Sequence, residues 1–148
     1  MMVEVGDIAP DFSAVADDGT VVRLRDFRGK KTVVLYFYPK DETRGCIKEA
    51  CNFRDDFEGF KKLNVEVLGV SYDSVESHVK FKEHYNLPFT LLSDKDKNIS
   101  KIYGASGFPF AKRMTFIINK EGKIVRIFPK VDPTTHSPEV LNAIEELK

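Results

Sequence analysis

The sequence predicts an α/β fold: a central mixed, mainly parallel sheet flanked by helices, with an N-terminal β-hairpin extension. Three observations carry this expectation. The run Val33-Val34-Leu35-Tyr36-Phe37-Tyr38 is β-branched and aromatic without polar alternation, the pattern of a strand buried on both faces. Segments with helical period alternate with runs of this kind, which calls for parallel strands joined by crossover helices. The chain has 148 residues, 42% hydrophobic and 31% charged, the size and mixture of one domain spanning residues 1–148.

The elements follow in order. Phe12-Ser13-Ala14-Val15 alternates, Asp17-Asp18-Gly19-Thr20 supplies a turn, and Val21-Val22-Arg23-Leu24 resumes, a hairpin. Thr32 to Tyr38 is the central strand, and Pro39 ends it because proline cannot donate to a ladder. From Thr43 the period changes: Cys46, Ala50, Phe53, Phe57 and Phe60 share one helical face. Val65 to Ser71 is a second buried strand. Ser74 opens a helix to about Tyr85, and Pro88 stops it. Phe89 to Leu92 is a short strand and Lys97 to Tyr103 a short helix. Met114–Asn119 and Lys123–Phe128 flank the turn Lys120-Glu121-Gly122. Ser137 at N-cap and Pro138 at N1 start a last helix, with Val140, Leu141, Ile144 and Leu147 on one face. This is the strand and helix order of a thioredoxin-like layer. Phe37, Phe108 and Phe110 read as core, His78 and His84 as helix-surface residues, and His136 as a loop residue without a nameable partner.

Lys plus Arg is 23 and Asp plus Glu is 23, so the net charge is zero and nothing electrostatic draws nucleic acid or an anionic membrane. The longest apolar run has six residues, against the roughly 20 that span a bilayer. The first residues lack the basic start and apolar stretch of a signal peptide. A soluble, cytoplasmic protein is expected.

The two cysteines, Cys46 and Cys51, are too few for a disulfide scaffold. Cys46 follows a buried strand and lies in the first turn of a helix, where free N–H groups and the positive end of the dipole favour a thiolate. Arg44 and Lys40 are near in sequence, and Arg113, just before a strand, is a candidate neighbour in space. On an ideal helix, residues five apart have Cα atoms roughly 8.6 Å apart. A disulfide needs about 4.4–6.8 Å. Cys46 and Cys51 therefore cannot bond within an intact helix, and could bond if one end unwinds.

Pro39-x-x-x-Thr43-x-x-Cys46 resembles the active-site motif of the peroxiredoxins, the thiol peroxidases. The longer string from Phe37 to Ala50 is similar to their Q subgroup, the bacterioferritin comigratory proteins, which commonly place a resolving cysteine where Cys51 stands. Gly6-Asp7-x-Ala9-Pro10-Asp11-Phe12, Gly69-Val70-Ser71-x-Asp73, Leu87-Pro88-Phe89, Leu92-Ser93-Asp94 and Arg113-x-Thr115-Phe116 extend the likeness along the chain. Arg44 departs from it, standing where the family usually has proline. The resemblance implies a thioredoxin-like fold and a peroxidase acting on hydrogen peroxide and organic hydroperoxides. It makes Cys46 the nucleophile, Cys51 the resolving thiol that closes an intrachain disulfide, and Arg113 a fixed positive charge. Thr43 would hold the thiolate or a peroxide oxygen, Pro39 would cover the pocket, and Glu49 would orient the arginine. Thioredoxin or a related dithiol would recycle the disulfide, no bound cofactor is needed, and the protein would act as a monomer or weak homodimer.

Rival readings remain at this point. Cys46-x4-Cys51 with His78-x5-His84 has spacings near those of a zinc domain, structural or regulatory. Against it, 26 residues intervene and the two histidines point about 120° apart on a helix. A disulfide carrier would show C-x-x-C, which is missing. An interaction domain with an incidental Cys pair predicts an unreactive Cys46.

Overall fold

The computed structural model describes residues 3–147. Strands β1 (Ser13–Ala16), β2 (Val21–Arg23), β3 (Thr32–Phe37), β4 (Val65–Ser71), β5 (Thr90–Ser93), β6 (Met114–Ile118) and β7 (Ile124–Phe128) form one sheet in the order β2-β1-β5-β4-β3-β6-β7. The helices are α1 (Arg44–Asp55), α2 (Phe57–Lys62), α3 (Val75–Tyr85), α4 (Asn98–Tyr103) and α5 (His136–Glu146), with a 3-10 turn at Leu24–Phe27. Parallel pairing is confined to the middle, β3 with β4 and β4 with β5, two of the six strand pairings. The sheet expected to be mainly parallel is thus antiparallel on both flanks, because each flank is a hairpin laid against the parallel centre. The N-terminal hairpin is no appendage: β1 joins the sheet through Val15 opposite Ser93 and Ala16 opposite Leu92.

The unbroken apolar run of β3 is explained by its two covered faces. Val33, Leu35 and Phe37 enter one core with Phe12, Leu24, Ile99, Tyr103 and Phe116. Val34, Tyr36 and Tyr38 enter the other with Cys46, Phe53, Phe60, Phe81 and Ile144. Helices α1, α2, α3 and α5 cover this second face, α4 and the N-terminal segment the first. Among the described residues no helix is long and apolar enough to cross a membrane.

Five expectations are corrected. The helix expected to run from Thr43 through Phe60 breaks at Asp56 (φ −93°, ψ 5°), whose carboxylate accepts the Ser137 hydroxyl at 2.8 Å; Phe57 is left half-buried. Helix α5 starts at His136 with Thr135 at the cap, because the Ser137 hydroxyl is spent on Asp56. Leu147 lies past the last turn and is 56% exposed, while Ala143 joins the buried face. Phe108 and Phe110 are not core: they are 92% and 44% exposed on the loop between α4 and β6, where Lys97 and Lys40 lie over their rings at 5.8 and 5.7 Å. His78 and His136 are fully buried, each with both ring nitrogens engaged.

Gly69 shows how tightly the second core is filled. A Cβ there would meet Tyr36 Cζ at 2.9 Å and Leu91 Cδ2 at 3.0 Å, and the Tyr36 ring is itself held against Tyr38, Phe53 and Phe89. Gly69→Ala should therefore destabilise the protein by about 1–3 kcal/mol, the usual cost of overpacking. A urea midpoint unchanged from the unsubstituted protein would contradict this packing.

Candidate active site

The chain leaves the sheet at the C-terminal end of β3 and turns through residues 39–43 into α1. Thr43 is the cap, in extended conformation, and its carbonyl accepts the Ile47 N–H at 2.8 Å. Cys46 is the third residue of α1 and is 1% exposed, packed in the second core. Its sulfur sits at the end of the helix where backbone N–H groups are unpaired and the dipole is positive.

Strand β6 brings the cation. Met114 lies opposite Phe37, which sets Arg113 beside the end of β3. Side chains alternate along a strand, so Arg113 falls on the same face as Thr115 and Ile117, the face that holds Cys46. Arg113 Nη2 donates to Cys46 Sγ at 3.4 Å, and Nη1 donates to Glu49 Oε1 at 2.7 Å. Glu49 follows Cys46 by almost one turn, so one helix presents both acceptors to one guanidinium. The sequence expectation that Glu49 orients an arginine matches this geometry.

Electrostatics follow from burial. The Glu49 side chain is fully buried and that of Arg113 is 19% exposed. Burial pushes the Glu49 carboxyl up to about 7, against the opposing pull of the Arg113 charge and hydrogen bond. Its second oxygen, Oε2, is buried without a hydrogen-bond partner among the described residues, which is why burial prevails. Desolvation acts downward on Arg113, but Glu49 and Cys46 outweigh it and raise it.

The remaining candidates are placed less directly. Thr43 is exposed, and its hydroxyl donates to the Lys40 carbonyl at 2.7 Å. A hydroxyl has one hydrogen, so here it is not directed at the sulfur, one of the two acceptors expected for Thr43 beside a peroxide oxygen, and the side chain does not cap α1. Pro39 is half-buried where β3 ends. Cys51 is half-buried on the same α1 as Cys46, so the ideal-helix separation of roughly 8.6 Å applies and both thiols are free. The histidines of the zinc reading do not join them: His78 faces Asp41 and the Leu92 carbonyl, His84 is exposed beside Glu42. Among the described residues no three His, Cys, Asp or Glu side chains cluster as a metal site.

Sequence reading missed Asp41 and Gly45. Asp41 is buried, taking hydrogen bonds from the Tyr38 and Ser77 hydroxyls at 2.6 and 2.8 Å. Its signal was only a carboxylate in a loop of charges. A Cβ on Gly45 would meet Arg113 Nη2 at 3.0 Å and Pro133 Cγ at 3.5 Å, so glycine lets the guanidinium lie along the helix start.

The AhpC/TSA family model matches residues 5–127. The chain is 41% identical to peroxiredoxin Bcp of Bacillus subtilis, over 99% of this chain and 98% of that protein. It is 42% identical to the chloroplastic peroxiredoxin Q of Oryza sativa subsp. japonica, over 98% of this chain and 68% of that protein. Its fold superposes on the crystal structure of the peroxidoxin BcpB of Mycobacterium tuberculosis with a TM-score of 0.91 and 30% identity, over 100% of this chain and 99% of that one.

Two predictions follow from the site. Gly45→Ala should keep or raise stability, since alanine is the better helix former by up to about 1 kcal/mol. It should also push Arg113 off the sulfur and slow the reaction of Cys46 with peroxide about tenfold, the rate equivalent of 1.4 kcal/mol; an unchanged rate would remove Arg113 from the site's chemistry. For Glu49, a carboxyl raised from 4.5 to about 7 holds its proton in the folded state where the unfolded chain has lost it. Folding stability therefore falls as pH rises across that window, by on the order of 1 kcal/mol per unit. Glu49→Gln removes the group, so the variant should gain on the unsubstituted protein between pH 4.5 and 7 in denaturant titrations. A pH-independent difference would contradict the raised carboxyl.

Proposed function

Because the chain belongs to the AhpC/TSA family and is a peroxiredoxin of the Bcp and Q kind, a thiol-dependent peroxidase, we propose that Cys46 is its peroxidatic nucleophile and Cys51 its resolving thiol. The observation that carries this reading is the contact of Arg113 Nη2 with a buried sulfur at a helix N-terminus, the guanidinium being held by Glu49. The Cys46 thiolate attacks one peroxide oxygen in line with the O–O bond. That bond breaks, its electron pair leaves on the other oxygen as hydroxide or alkoxide, and a proton completes water or alcohol. Arg113 and the N–H groups at the start of α1 face the charge that develops on the oxygens. Pro39 shields the sulfur from solvent. The Thr43 hydroxyl, its hydrogen engaged by Lys40, offers lone pairs to a peroxide O–H.

The product is Cys46 sulfenic acid. The Cys51 thiolate attacks its sulfur, the S–O bond breaks, water is released, and an intrachain disulfide forms. The helix must open for this step, and its two ends are held unequally. Next to Cys51, the Asn52 side-chain amide donates to the Pro133 and Thr134 carbonyls at 3.3 and 3.1 Å, and Phe53 is fully buried. The first turn contains Gly45, a poor helix former. These features favour unwinding at the Cys46 end. A dithiol of the thioredoxin type then reduces the disulfide by exchange. A cytoplasmic setting and a monomeric or weakly dimeric state belong to the same proposal.

One equivalent of hydrogen peroxide added to the reduced protein should consume both thiols rapidly, with a mass loss of two hydrogens. Cys46→Ser should abolish this reaction, and Cys51→Ser should stop at a single sulfenate. Thiols that persist at the rate of an ordinary cysteine would sink the assignment.

A further inference from the structure

The segment that carries Pro39 into the Thr43 cap is held from outside the site. Asp41 lies at its centre, 4% exposed. Its Oδ1 accepts the Tyr38 hydroxyl at 2.6 Å, and its Oδ2 accepts the Ser77 hydroxyl at 2.8 Å while facing His78 Nδ1 at 2.7 Å. The Asp41 backbone N–H donates to Asp73 Oδ2 at 2.8 Å. The other ring nitrogen of His78, Nε2, faces the Leu92 carbonyl oxygen at 2.9 Å.

These partners decide the protons. A carbonyl oxygen only accepts, so Nε2 carries a hydrogen. A carboxylate also only accepts, so a hydrogen lies between Nδ1 and Oδ2; without it two lone pairs would meet at 2.7 Å. The imidazole and the carboxyl thus share one hydrogen, and the pair is neutral as a unit inside a dry core. Outside Asp41 the segment is held at its surface, where Lys40 lies over the exposed Phe110 ring at 5.7 Å. Glu42 adopts a left-handed φ of 62°, its pairing with His84 is exposed to solvent, and the Thr43 hydroxyl bond closes within the segment itself.

We propose that protonated His78 is a positioning residue for the peroxidase reaction: through Asp41 it ties residues 39–43 to α3 and so keeps the first turn of α1, with Cys46, against Arg113. The role rests on Cys46 being the nucleophile proposed above. Burial acts to lower His78, but the hydrogen bond and charge of Asp41, the Leu92 carbonyl and the charge of Asp73 outweigh it and raise the imidazole above 6.5. The titratable groups facing the pair are Asp73, from the β4–α3 connection, and Tyr38, from the end of β3. A raised histidine contributes fully below its ordinary value and is lost as pH rises through its folded value. The tie loosens on the alkaline side.

The test uses Cys51→Ser protein, in which only peroxide attack is read, by rapid quench and intact mass from about pH 6 to about pH 9. Asp41→Asn is added to that parent. Its amide nitrogen donates to a neutral His78 Nδ1 and to the Ser77 oxygen, and its carbonyl still accepts from Tyr38, so the tie survives without the titrating proton. The parent rate divided by the Asp41→Asn rate should fall about tenfold from the neutral to the alkaline end; changes in thiolate fraction are common to both and cancel. A flat ratio overturns the positioning role. Nitrogen NMR of the unsubstituted protein should show both His78 ring nitrogens protonated at neutral pH, and a neutral ring overturns it as well. If the parent forms no sulfenate, the nucleophile assignment falls and the positioning role with it; sulfenate with a flat ratio removes the positioning role alone.

Discussion

Everything at the site hangs on one guanidinium. Arg113 gives one terminal nitrogen to Glu49 and the other to Cys46, both on α1. A buried carboxylate alone would cost several kcal/mol, and a buried arginine would cost as much. Each makes the other tolerable, and the sulfur receives its positive neighbour from the same arrangement. The planar fork is what allows it: a lysine could reach one acceptor but could not hold two at fixed angles. The antiparallel register of β6 on β3 therefore sets this contact. A slip of one residue would turn Arg113 to the opposite face of the sheet.

A second constraint opposes the first. The arginine contacts need α1 helical through Glu49, while a bond between Cys46 and Cys51 needs that helix interrupted. The structure divides these demands along the helix. Its C-terminal half is anchored by buried Ala50 and Phe53, by Asn52 and by Asp56; its first turn holds a glycine and leans on the segment tied by Asp41. A rigid end presents one thiol, and a conditional end presents the other.

The parts of the fold that were legible in the sequence are those where side-chain period and backbone state are the same information. The β3 and β4 runs, the helix after Thr43, the Ser74 cap confirmed by its bond from the Ser77 N–H, and the closing hairpin are of this kind. The misreadings share another cause. Phe108 and Phe110 are apolar, yet their loop crosses the surface and gives them lysine cations as partners in place of a core. His78 and His136 are polar, yet both are fully buried, because the folded chain supplies a partner for every ring nitrogen: Asp41 and Leu92 for one, distant Thr115 and nearby Glu139 for the other. Hydropathy reports the cost of burying a group in isolation, and these partners change that cost.

Legible in the residues alone were the element order, a cysteine at a helix start and the fact that a second cysteine five residues on cannot reach it within a helix. These are consequences of local spacing and of helical geometry, which any surrounding fold must respect. Only the folded chain shows that Arg113 faces the sulfur, that Glu49 is buried and pushed up to about 7, that the Thr43 hydroxyl turns to Lys40, and that His78 of α3 faces Asp41 in the segment before Cys46. Each of these joins residues far apart in the chain or depends on how much water is excluded, and both are set by strand register and packing.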